Sequence, residues 1–124
     1  MGYSLSHSCH DGTLRIDLSG TLPAAAVQAL LKDVLRITQA ESAQRILFDV
    51  RGLAEDIGPV ETLNLIKEYP HDPASLARRV AVLERPEQSY AHGFHETAAQ
   101  NRGHRLRHFT DRAQAEAWLF GAKG

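Results

Sequence analysis

Arg45-Ile46-Leu47-Phe48-Asp49-Val50 is the stretch on which the fold turns. It is a short, nearly continuous apolar run with β-branched and aromatic side chains, bounded by polar neighbours. An alternating run buries one face of a strand. A continuous one buries both, so this stretch reads as a central strand covered on two sides. Arg79-Val80-Ala81-Val82-Leu83-Glu84 has the same character, and Arg85-Pro86 ends it. Two such strands 34 residues apart (45 to 79) leave room for a loop and a helix between them. That is the spacing of a parallel crossover.

Upstream, Tyr3, Leu5, His7 and Cys9 interleave with Ser4, Ser6 and Ser8, a period of two that predicts a half-buried strand. Asp11-Gly12 follows as a hairpin turn, and Leu14, Ile16 and Leu18 then alternate with Arg15, Asp17 and Ser19 up to Gly20. The first 20 residues therefore predict an antiparallel hairpin with one apolar face. Val27, Leu30, Leu31, Val34 and Thr38 recur at helical spacing behind Pro23, predicting an amphipathic helix over 22–40. A loop from Arg51 to Gly58 leads to a second helix from Pro59 to about Tyr69, which Pro70 and Pro73 break. A third helix runs from Ser89 to Arg102 with Tyr90, Phe94 and Ala98 on one stripe, and Gly103 stops it. Arg105 to Phe109 is a short basic edge strand. Asp111 and Gln114 open a last helix whose stripe is Ala115, Trp118 and Leu119.

Strands alternating with helices require crossover connections, which place neighbouring strands in parallel. The expected architecture is α/β: a mixed five-stranded sheet, an N-terminal hairpin followed by alternating helices and parallel strands, with four helices and with Phe48, Val82 and Trp118 buried. All of 1–124 fits one domain.

Composition narrows the function. The chain has 14 Lys and Arg against 15 Asp and Glu, a net charge of −1, which excludes an overall electrostatic attraction to nucleic acid or to an anionic membrane. No apolar run nears the roughly 18 residues of a membrane span. The start, Met1-Gly2-Tyr3-Ser4, lacks the basic and apolar regions of a signal peptide, so a cytoplasmic monomer or small oligomer is expected. The single cysteine, Cys9, excludes an internal disulfide framework and reads as a small buried thiol.

The order of elements, together with Phe48-Asp49-Val50-Arg51-Gly52, Val80-Ala81-Val82-Leu83 and the closing Arg107-His108-Phe109-Thr110-Asp111 with Ala115-Glu116-Ala117-Trp118-Leu119, resembles the SpoIIAA-like family of the STAS fold. The resemblance spans nearly the whole chain. It implies a small α/β domain that binds a partner protein or small ligand and usually catalyses nothing. It also implies an alternative: lipid binding or association with a membrane surface. Leu63, Ile66 and Tyr69 on the second helix would supply the apolar stripe, although core packing demands the same stripe. In the antagonists of this fold a phosphorylatable serine follows an aspartate at the start of the second helix. Here the matching stretch is Glu55-Asp56-Ile57-Gly58, and Ile57 has no hydroxyl to phosphorylate.

The candidate site set is Asp49, Arg51, Asp56, Gly58, Glu84 and Arg85, at or just past the carboxyl ends of the two central strands. Ligands of open α/β sheets bind at this rim, and two arginines there can hold an anionic group. Salt bridging among the same charges explains them without a ligand. A second alternative function, a small hydrolase-like enzyme, would use Asp49 and Glu84 as paired carboxylates. His92 and His95, three apart on a helix, can share a metal only with a third ligand, and Glu96 points off their face. No cofactor motif is present, and a homodimer is compatible with everything above.

Overall fold

The computed structural model describes residues 2–54, 64, 67–70, 72–87 and 92–121, with the backbone alone at 24 and 92–95. The strands are β1 (Tyr3–His10), β2 (Thr13–Gly20), β3 (Arg45–Leu53), β4 (Arg79–Leu83) and β5 (Arg105–Phe109). They lie in one sheet in the order β1-β2-β3-β4-β5. β1 and β2 are antiparallel, and every other neighbouring pair is parallel. The described α-helices are α1 (Val27–Glu41), preceded by a 3-10 turn at Ala24–Ala26, α2 (Pro73–Ala77), α3 (His92–Gln100) and α4 (Arg112–Leu119). The mixed five-stranded sheet follows the expected architecture, and α1, α3 and α4 stand where three of the four expected helices were placed. The hairpin turns at Asp11 (φ 52°) and Gly12 (φ 75°), the two left-handed residues that a two-residue connection demands.

The sheet has two packed faces. On one, Leu14, Ile16 and Leu18 of β2, Ile46 of β3 and Val80 of β4 meet Leu30, Val34 and Ile37 of α1. On the other, Leu47, Ala81 and Leu83 meet Ala115 and Leu119 of α4. β3 supplies Ile46 to the first face and Leu47 to the second, both buried, as an unbroken apolar run requires. α4 starts where expected, with the Asp111 carboxylate accepting from the Gln114 amide at 3.1 Å.

The structure corrects several details. Val82 is buried, but Phe48 and Trp118 are half-buried, since Trp118 lies at the margin of the α4 layer beneath the Arg79 guanidinium. Cys9 is exposed, not buried. β5 is an edge strand as expected and β1 is the other, and of β1 only Tyr3 and Leu5 reach the cluster under α1. Pro73 does not merely break a helix; it opens α2, where Asp72 caps the Ser75 amide at 3.2 Å. The Ser75 hydroxyl, donating at 2.8 Å, and its amide hold the Asp72 carboxyl below its ordinary range. Of the expected second helix, Asn64, Lys67 and Glu68 are helical; its start and Leu63 and Ile66 lie outside the described residues.

One irregularity shapes the site. Asp17 pairs with Asp49, but Ser19 pairs with Gly52, so β3 carries one extra residue between them. This bulge lets Arg51 fold back beside Asp49. It also presses the backbones together: a Cβ on Gly52 would stand 2.9 Å from the Leu18 carbonyl oxygen and from the Ser19 Cβ. Only glycine fits there.

Candidate functional site

Asp49 sits on the α4 face of β3, but α4 packs mainly on β3, β4 and β5. Beside β1 and β2 this face is polar, with Ser4, Ser6 and Ser8 exposed and Arg15 and Asp17 part-buried. Asp49 is nonetheless 6% exposed because charged neighbours close over it. Its carboxylate accepts from Arg51 three times, from the backbone amide at 3.1 Å, Nε at 3.0 Å and Nη2 at 2.8 Å, and from Arg15 Nη2 at 3.0 Å. Arg15 also binds Asp17 at 3.0 Å. Burial pushes the Asp49 pKa up, but the hydrogen bonds and charge of Arg51, with Arg15 adding, outweigh it and hold the carboxyl below its usual range. A carboxylate saturated by four donors and kept ionised is a poor proton acceptor.

Arg85 reaches back across the rim. Its Nη1 donates to the carbonyls of Arg51 and of Leu53, the latter at 3.2 Å, and its Nε pairs with Glu87 at 3.2 Å. It thus fastens the end of β3, past the bulge, to the segment leaving β4. Arg51 and Arg85 come together at the rim as their positions implied, but both guanidinium groups are engaged within the chain.

Glu84 points the other way. Strand alternation puts it on the face opposite Asp49, where it is 3% exposed, with Oε1 2.6 Å from His108 Nδ1. The Glu84 amide donates to the Phe109 carbonyl at 2.9 Å, and the His108 amide donates to Glu96 Oε2 at 2.8 Å. Asp49 and Glu84 therefore do not face each other as a catalytic pair would. Asp56, Ile57 and Gly58 lie outside the described residues, as do the side chains of His92 and His95. Among the described residues no group of three His, Cys, Asp or Glu is placed to hold a metal.

His108 is a residue that sequence reasoning missed, since a short basic edge strand explains the stretch from Arg105 to Phe109 without it. The available signal was positional. In register with Val82, His108 stands on the apolar side of β5, where a buried imidazole needs a partner.

No protein-family model matches the chain, and no curated protein matches it. Solved structures do. One is an anti-sigma factor antagonist from Mycobacterium paratuberculosis, with a TM-score of 0.64 at 13% identity over 96% of this chain and 95% of that one. A second is the antagonist SpoIIAA in its unphosphorylated form, with a TM-score of 0.62 at 16% identity, covering 99% of this chain and 100% of the other. The chain has a SpoIIAA-like fold. A third match with this SpoIIAA-like fold is an uncharacterised protein of the DUF3478 family from Shewanella loihica PV-4, with a TM-score of 0.59 at 18% identity over 95% and 93% of the two chains. No described helix is long and apolar enough to cross a membrane.

Proposed function

We propose that the chain is a single non-enzymatic binding domain, working in the cytoplasm without a cofactor, whose ligand is a partner protein. The observation that carries this reading is the end-to-end agreement of its fold with anti-sigma factor antagonists, with no large insertion that would build a separate catalytic lobe. The rim geometry supports it. Asp49 is tied to Arg51 and Arg15, Arg85 to the backbone of β3, and Glu84 to His108. These groups make a rigid platform, and we assign partner contact to the segment that follows Leu53, including Asp56 and Gly58, with the outer edge of Arg51 beside it. Ile57 in the place of the switch serine makes the interaction independent of phosphorylation at that position.

The test is mild cross-linking in the native host, followed by purification of the full chain and mass spectrometry of the intact complex. The expected species is the chain plus one other polypeptide, with no phosphate on any peptide between Arg51 and Thr62. A chain carrying only a small molecule, or phosphate in that segment, contradicts the proposal.

A further inference from the structure

Arg45, Arg79 and Arg105 are register partners across β3, β4 and β5. They stand side by side at the amino ends of the strands, on the α4 face and at the opposite end of the sheet from the rim. Adjacent strands lie about 4.8 Å apart, and like charges placed opposite one another destabilise a sheet. At the rim the arginines of this face are matched by acids: Arg15 by Asp17 and Asp49, Arg51 by Asp49. In this row they are not. Arg45 donates to Thr13 Oγ1 at 2.9 Å and to the Asp11 carbonyl, and stacks 4.3 Å from the Phe120 ring centre. Arg79 donates to the Trp118 carbonyl at 2.5 Å and lies 5.1 Å from the Trp118 ring centre. Arg105 is exposed, and no hydrogen bond or ion pair among the described residues engages it. Among the described residues every partner of the row is neutral.

These side chains border a cleft of about 250 Å³ lined by Gln44, Arg45, Arg79, Arg105, Leu119 and Phe120, with no carboxylate among its described walls. Phe120 is 61% exposed, the one large hydrophobic side chain so exposed among the described residues. The carbonyl end of α4 offsets only a fraction of a charge, against three permanent guanidinium charges in a chain whose net charge is −1.

We propose that this cleft is an oxyanion-binding site, taking inorganic phosphate or the phosphate group of a small phosphate ester. Guanidinium groups present paired donors that match phosphate oxygens, and they remain charged at all working pH values. Stacking on Phe120 and Trp118 fixes the orientation of two of the three without consuming their charge. A bound oxyanion would relieve the repulsion stored in the row, with the Phe120 ring against its organic part.

Trp118 is the only tryptophan, so the emission of the full-length protein reports on this cleft. Titration with sodium phosphate and with phenyl phosphate, against sodium chloride at matched ionic strength, should give a saturable change with the first two and none with chloride. Arg105→Gln should weaken binding about tenfold, the loss of roughly one charge-assisted contact. It should also raise the melting temperature of the anion-free protein, because it removes one of three repelling charges; a purely structural arginine would lower it. Equal responses to chloride and phosphate, or unchanged phosphate affinity in Arg105→Gln, overturns the proposal. A saturable response to phenyl phosphate but not to inorganic phosphate assigns the site to esters.

Discussion

Asp49→Asn removes one charge and almost no volume from the centre of the rim network. Aspartate here accepts four hydrogen bonds from Arg51 and Arg15. Charge-assisted bonds contribute roughly 1.5–3 kcal/mol each and neutral ones about 0.5–1.5. The Arg51 side chain is 43% exposed, so its share is screened and counts for less. Asparagine also avoids the cost of burying a charge, which offsets part of the loss. The amide nitrogen of asparagine, however, must face a guanidinium donor. The net expectation is a loss of about 1–2 kcal/mol at neutral pH. The folded-state pKa of Asp49 is lowered, so its ionised form contributes stability above the unfolded value, about 3.9, and that contribution is lost as the pH falls through the folded value. Urea midpoints of the wild type and Asp49→Asn, measured in steps from pH 7 to pH 3, should therefore differ by a constant amount down to about pH 5 and converge below about pH 4. Identical midpoints at pH 7, or a gap that persists undiminished at pH 3, would refute this account of the rim.

Gly52→Ala should cost about 1–3 kcal/mol in urea unfolding, because its methyl group meets the Leu18 carbonyl and Ser19 across the bulge; wild-type stability would mean that the strands separate there without cost. His108→Leu takes away the 2.6 Å contact of the buried Glu84 carboxylate and should lose about 1–3 kcal/mol, whereas Glu84→Gln keeps an acceptor for His108 and should lose less; the reverse ranking by thermal unfolding would count against the pair. Cys9 should react with a maleimide in the native protein as fast as in urea, given its exposure on the edge strand; protection in the native state would place it under cover.

The elements that residue pattern could reveal are those whose signal is local. The continuous runs at 45–50 and 79–84 marked the two central strands because burial on both faces leaves no alternation. Asp11-Gly12 marked the hairpin because few residues adopt two left-handed conformations in succession. Asp111 and Gln114 marked α4 through a cap confined to four residues. What escaped depends on register or on what lies above a strand. Cys9 alternates as an inward residue should, but no helix described here packs over that end of β1. Asp72-Pro73 is a cap followed by a first-turn proline, a helix start that the nearby prolines disguised as a break. The Glu84–His108 contact joins residues 24 apart in sequence. The row of Arg45, Arg79 and Arg105 exists only once three strands are aligned, and one strand slipped by one residue would dissolve it. At the rim, sequence placed Asp49, Arg51, Glu84 and Arg85 at one end of the two central strands, but it could not say that Asp49 and Glu84 stand on opposite faces, or that a bulge turns Arg51 onto Asp49.

The measurement that most directly tests the central claim is site-specific photo-crosslinking in living cells. A photoreactive residue replaces Ala54, exposed just past the end of β3, and in a control replaces Ser6, exposed on the polar face beside β1. The account predicts one discrete protein adduct from position 54 that is absent from position 6. Adducts of equal yield from both positions, or none from position 54 while the protein is folded and abundant, would contradict it.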